Sequence, residues 1–244
     1  MPRLKSKSSY RRGYAVAILV GFGENNAFLW RVYSKVVKPE ATVQLEGQRN
    51  SPKDVYNFHE AVINALRPTL KEGVRSIILV SQPRTPYSQT FADHIRSHHN
   101  WLTQGPNKVA LAEISGFAAT SSGVGEIVKN PLFKKLLEGV TSQETESLLE
   151  ILESKLTSSD TRSVLYSIED IENAIIYSDG NSPIPEFLLL TNNYLATNRQ
   201  KNRIQRLLQI AANKRYKTRV VDSDSPAGKR LTQLGGIVCL SRAP

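Results

Sequence analysis

Arg230-Leu-Thr-Gln-Leu-Gly-Gly-Ile-Val-Cys-Leu-Ser-Arg242 carries more architectural information than any other segment of this 244-residue chain. It reads as an exposed polar segment, a Gly-Gly bend, and a short buried strand from Ile237 to Leu240. An apolar run of that length needs its backbone paired and both its faces covered, so it belongs to a sheet with helices around it. The preceding segments fit. Glu186-Phe-Leu-Leu-Leu190 and Thr218-Arg-Val-Val221 read as strands, with a helix from Arg199 to Asn213 between them. Val164-Leu-Tyr166 is a short strand, after which Ser167 caps a helix through Ala174 and Ile175. Thr141-Ser-Gln-Glu144 has capping-box spacing and opens a helix with Leu148, Leu149, Ile151, Leu152 and Leu156 on its apolar side. Such alternation predicts an α/β sandwich over residues 136–244.

Upstream, Tyr14-Ala-Val-Ala-Ile-Leu-Val20 and Ala27-Phe-Leu-Trp-Arg-Val-Tyr33 flank Gly21-Phe-Gly-Glu-Asn-Asn26, a β-hairpin pattern. Val36-Val37 and Thr42 to Leu45 extend the strand region. Ser51, Pro52 and Asp54 start a helix whose face is Val55, Phe58, Val62, Ile63 and Leu66, with Pro68 and Gly73 as its stop. Ser76 to Val80 is a buried strand, Thr85-Pro86 begins a second helix with Phe91, Ile95 and Leu102 inward, and Val109 to Ile114 is another strand. The Ser/Gly/Thr-rich stretch Ser115 to Gly125 reads as a loop, followed by a helix to Asn130 and Pro131. The expected division is a basic disordered arm over 1–13, an α/β domain over 14–135 with RNase H-like strand and helix order, and a second α/β domain over 136–244.

Lys and Arg number 32 against 22 Asp and Glu, a net charge of +10 that favours polyanionic partners, nucleic acid above all. The charge is sorted. From Glu138 to Glu186 acids dominate, whereas Arg199, Lys201, Arg203, Arg206, Lys214, Arg215, Lys217 and Arg219 form a run without an acid. Either the two runs neutralise one another, or the helix after Asn198 faces RNA and the acidic face meets a basic protein. The arm residues Arg3, Lys5, Lys7, Arg11 and Arg12 form a third basic element. The lone cysteine, Cys239, excludes an internal disulfide and reads as core packing in a reducing, cytoplasmic setting. No run approaches the ~18 apolar residues of a membrane span.

Several chemistries are disfavoured. A metal nuclease needs clustered carboxylates, and the first strand has none. No GxxxxGK loop is present to hold a nucleotide, and no other cofactor motif was found. His94 and His98 lie one helical turn apart with His99 adjacent, a spacing that suits zinc. No third ligand is evident, so these residues read as a polar helix face near Trp101, and no metal is assigned.

The ending Leu234-Gly-Gly-Ile237, the Ser121-Ser-Gly loop followed by Lys129-Asn-Pro131, and the Ser167-to-Ala174 helix entry together resemble the class I release factor and Pelota family of archaea and eukaryotes. The resemblance spans Tyr14 to Arg242, as that family's middle and C-terminal domains; only the short arm stands where its N-terminal, decoding-centre domain would be. It implies a codon-independent factor at the large-subunit tRNA site, in ribosome rescue or recycling, touching ribosomal RNA and peptidyl-tRNA. A translational GTPase or ribosome-splitting ATPase would meet its C-terminal domain. Catalytic release factors carry Gly-Gly-Gln between a strand and a helix of the middle domain. Here Gly47-Gln48 occupies the equivalent place, with Glu46 replacing the first glycine and Arg49 following. The resemblance makes Gln48 and Gly47 candidate residues for peptidyl-tRNA ester hydrolysis, and makes Arg49 an RNA contact. Pelota proteins lack the motif, and Glu46 adds negative charge where RNA would approach. The alternatives are therefore a hydrolase using Gln48 and a non-catalytic ribosome-silencing or RNA-binding module.

Overall fold

The computed structural model describes residues 14–105, 108–157, 163–177 and 183–242. The expected basic arm, Arg3 to Arg12, lies outside the described residues. Contacts divide the chain into two compact units. Of the described residues, the first holds those up to Ala65, Ser76–Thr103 and Val109–Val140; the second holds Leu66–Arg75, Gln104, Gly105, Lys108 and those from Thr141 onward.

The first unit is built on five strands: β1 (Ala15–Phe22), β2 (Asn26–Tyr33), β3 (Val37–Gln44), β4 (Ser76–Ser81) and β5 (Ala110–Ser115). Their order is β3-β2-β1-β4-β5. The β1–β2 and β2–β3 pairs are antiparallel, and β4 and β5 run parallel to β1. This is the RNase H-like order expected from the sequence. β4 lies inside the sheet and all six of its residues are buried, whereas β3 is an edge strand of alternating exposure. Pro39 donates no ladder bond, so the edge suits it, and the β2–β3 register shifts beside it.

Helices α1 (Pro52–Lys71) and α2 (Tyr87–His98) share one side of this sheet, where Phe22 meets Phe58 and Phe91 ring to ring. The short α3 (Asn100–Thr103) follows α2. On the other face Leu19, Trp30, Ile78, Val80 and Ile114 pack with Val124 and Ile127 of α4 (Ser121–Lys129) and with Phe133 and Val140 of α5 (Pro131–Leu156). Indole Nε1 of Trp30 donates to the buried Ala118 carbonyl at 2.8 Å.

Three local expectations are corrected. Pro68 does not stop α1, which continues to Lys71. A proline inside a helix removes one donor and crowds the carbonyl four residues back, and here the burial of Thr69 and Leu70 offsets that cost. The Ser121-Ser-Gly run is the first turn of α4 rather than loop, because Thr120 extends and its side chain accepts from the Gly123 N–H. Thr141–Glu144 does not begin a helix. α5 starts at Pro131, where Asn130 Oδ1 accepts from the Leu132 N–H at 2.8 Å. Buried Val140, Glu144 and Thr145 carry the helix through the capping-box sequence.

The second unit has strands β6 (Val164–Leu165), β7 (Ile184–Thr191), β8 (Lys217–Val221) and β9 (Ile237–Arg242), in the order β6-β9-β7-β8. β7 runs parallel to β8 and antiparallel to β9. The Gly-Gly ending therefore leads into an inner strand. Residues of β7 and β9 alternate strictly between two cores. Phe187, Leu189, Val238 and Leu240 face Leu148 and Leu152 of α5 together with Ala227 and Leu231 of α9 (Pro226–Gln233). Leu188, Leu190, Ile237 and Cys239 face α6 (Ile168–Ile176) and α8 (Lys201–Asn213). Burying each such side chain contributes about 1.5–3 kcal/mol, so the alternation fixes the register. The segment read as polar before the Gly-Gly is α9, capped by Ser225, whose Oγ accepts from Gly228 N. Gly235 and Gly236 have φ of +100° and +85° and end α9 by donating to Thr232 and Leu231 carbonyls. The short α7 (Asn192–Thr197) follows β7.

Candidate functional site

The Gly47–Gln48 loop lies between β3 and α1. Glu46, Gly47 and Gln48 are exposed, while Leu45 before them is buried. The backbone is bolted down on both sides. Leu45 N donates to the Asn25 carbonyl at 2.8 Å, and Ser51 N to the Gln48 carbonyl at 3.0 Å. Gly47 has φ +107°, and a Cβ there would stand 2.2 Å from Asp54 Oδ2. Gln48 N donates to the same Asp54 oxygen at 3.0 Å. Arg49 turns inward rather than out. Its Nε and Nη2 donate to the Glu24 and Gly23 carbonyls at 2.8 Å each, and its guanidinium lies 4.3 Å from the Tyr87 ring centroid and 5.0 Å from that of Phe58. Burial pushes Arg49 below its ordinary pKa, opposed by Tyr87 and Glu24. The side chain of Gln48 is thus presented on a rigid tip, and Arg49 closes the hairpin turn onto α1.

The basic segment sorts into two groups. Arg199, Lys201 and Arg206 are exposed, as are Lys214 and Arg215 after α8. Arg203 is engaged from α6: its Nε and Nη2 reach the Glu172 carboxylate at 2.9 and 2.7 Å, and Nη2 also reaches Glu169 at 3.1 Å. These carboxylates hold the Arg203 guanidinium above its usual range. Arg219, counted above in the acid-free run, is buried and paired with Glu144 of α5. β8 carries it under the helix, so it is withdrawn from any RNA-facing surface. On α5 itself Glu146 and Glu150 are exposed beside the half-buried Leu149, while Glu153 binds Arg230 at 2.6 Å. Acid and base therefore cancel locally at Arg203, Arg219 and Arg230.

All four histidines of the chain gather in the first unit around Glu60 of α1. His94 and His99 are buried, and the Nε2 of each lies 3.0 and 2.8 Å, respectively, from the same oxygen, Glu60 Oε1. Trp101 Nε1 donates to His99 Nδ1 at 3.3 Å. Burial pushes His94 down, with Glu60 opposing, and pushes His59 down to about 4. At Glu60 burial acts upward, but the hydrogen bonds from His99 and His94 outweigh it and hold the carboxyl below its usual range. The polar helix face expected at His94 and His98 is therefore an inward cluster, and its carboxylate comes from another helix. The i,i+4 spacing points to His98, but the pair that converges is His94 and His99. His99 caps α2 outside helical geometry (φ −126°) and so turns back toward α1.

No family model matches the chain. A Methanococcus maripaludis protein described as a pelota homolog is 34% identical over 248 residues, covering 99% of this chain and 65% of that protein. The chain belongs to the Pelota family. It spans about 65% of the length of this Pelota relative. Solved Pelota-type structures share the fold. Dom34 of Saccharomyces cerevisiae, described as a translation termination-like factor involved in RNA quality control that interacts with Hbs1, matches 98% of this chain and 66% of its own, with TM-score 0.52 and 20% identity. An archaeal Pelota, bound to the ribosome with ABCE1, matches 92% and 61%, with TM-score 0.53 and 17% identity. Among the described residues of this Pelota-family chain, no helix is long and apolar enough to cross a membrane.

Proposed function

We propose that this chain is a ribosome-associated translation factor of the Pelota type, working in the cytoplasm at the tRNA site of the large subunit during ribosome rescue or recycling. Membership of the Pelota family carries the reading. The exposed cations Arg199, Lys201 and Arg206 supply phosphate contacts, joined by the arm residues Arg3 to Arg12. A translational GTPase or ribosome-splitting ATPase meets the second unit, with Glu146 and Glu150 as its acidic contacts. Support comes from the relatives: Dom34 interacts with Hbs1, and the archaeal Pelota is ribosome-bound with ABCE1.

Gln48 is assigned a binding role rather than a catalytic one. Water is a weak nucleophile, and a residue that directs it must settle against the ester to within about 1 Å. The tip carrying Gln48 is held by Asp54 and Ser51 and has Glu46 exposed beside it, a poor fit to RNA phosphates. The deciding experiment incubates the chain with stalled ribosomes bearing peptidyl-tRNA, with and without the GTPase and ATPase. Subunit dissociation with intact peptidyl-tRNA, unchanged by Gln48→Ala, is the expected result. Rapid cleavage that depends on Gln48 would replace this reading with the hydrolase, and occupancy without dissociation would replace it with the silencing module.

A further inference from the structure

We propose that Glu60, His94 and His99 form a binding site for one zinc-class divalent ion in the first unit. The ligand atoms are His94 Nε2, His99 Nε2 and Glu60 Oε1, which all lie within 4.8 Å of one another. Two imidazoles and one carboxylate are a donor set of the kind zinc takes with a fourth, solvent position left open. Zinc holds such atoms at about 2.0–2.1 Å, which sets neighbouring donors roughly 3.4 Å apart. Oε1 is already 3.0 and 2.8 Å from the two nitrogens, so small side-chain rotations admit the ion.

The setting suits a ligand better than it suits an ordinary carboxylate–imidazole contact. Both rings address one oxygen of Glu60, and both are buried, while the Glu60 side chain remains 30% exposed and opens the site to solvent. The donors stand on rigid supports: α1 supplies Glu60, the last turns of α2 supply His94, and its cap supplies His99. Behind them His59 is 2% exposed, its ring is centred 5.0 Å from His94, and its Nε2 has no hydrogen-bond partner among the described residues. The polar interior is therefore larger than the three hydrogen bonds need. His98, at the surface, stays outside the triad.

Binding has a built-in reporter. The indole N–H of Trp101 faces His99 Nδ1, which places the His99 proton on Nε2, toward Glu60. An ion on Nε2 moves that proton to Nδ1. Two N–H groups then face each other, and the half-exposed indole swings into water.

The test uses the full chain stripped of metal by chelation. Zn2+ is titrated in competition with a chromophoric chelator, and tryptophan emission is followed in parallel. One ion per chain is expected, with an emission change that Trp101→Phe removes, and Co2+ should give the visible absorption of a four-coordinate site. Glu60→Gln keeps the shape of the side chain and should weaken binding by about 100-fold, at the upper end of what losing even an outer-sphere partner does. His98→Ala should leave affinity unchanged. Binding that is indifferent to Glu60→Gln, binding lost in His98→Ala, or no Co2+ spectrum in the folded native chain would overturn the site and leave a carboxylate that merely accepts two N–H bonds.

Discussion

At Gly236 a methyl group has nowhere to go: its Cβ would lie 2.9 Å from Tyr194 Cδ2, on a backbone that L-residues avoid. Gly236→Ala should therefore destabilise the second unit by about 1–3 kcal/mol, read as a lower urea midpoint. Gly139, inside α5, is the contrasting case. A Cβ there meets nothing within 4 Å, so Gly139→Ala should raise stability by roughly 0.5–1 kcal/mol through helix propensity. Neighbouring Cys239 makes a second residue-level prediction. Burial pushes its thiol up to about 12, Lys155 opposing. Native protein should resist iodoacetamide at pH 8 and react once denatured. The sign of the pH effect follows from the same shift. The unfolded thiol ionises near 9.0 and the folded one near 12, so this group's contribution is complete below pH 9 and is lost as pH climbs toward 12.

Among elements, α6 and α8 divide the basic segment between stability and binding. Arg203 ties the two helices through Glu172 and Glu169, whereas Arg206 points to solvent. Arg203→Gln should lower the melting temperature with little effect on the salt dependence of ribosomal RNA binding. Arg206→Gln should leave melting unchanged and flatten the log–log salt slope by about one unit. Equal slopes in both variants would place α8 away from RNA. The strands were legible because β7 and β9 are near-continuous apolar runs, and the Ser51 and Ser167 starts were legible because each cap precedes an apolar period. Other helix boundaries were not, those at Thr141 and around α9 among them. A capping box is only four residues, and at Thr141 the buried neighbours outweigh it. α9 has just eight residues, with Ala227 and Leu231 as its inward anchors, too few to show a period beside its cations. The Glu60 cluster was hidden for a different reason: its third member lies 34 residues before His94 and is brought there only by the packing of α1 beside α2.

For the molecule as a whole, α5 matters to the second unit through Leu148 and Leu152, which cover one face of its sheet. A fragment covering 141–242 should give a cooperative melt, and one beginning after Leu156 should not, since that face would stand bare. Circular dichroism of the two fragments checks this, and equal folding of both would show the helix to be dispensable. The resemblance in the Leu234–Ile237 ending was legible as sequence because the fold concentrates unusual demands there, two consecutive left-handed residues followed by an inner strand. That placement has a temporal side. Among the described elements of its unit β9 comes last in the chain, yet it sits between β6 and β7. Until residue 242 has left the exit tunnel, β7 keeps a bare edge and β6 has no partner. The second unit therefore completes its sheet only after all its other elements have been made, and its nascent form is the stage most open to chaperones and to edge-to-edge aggregation.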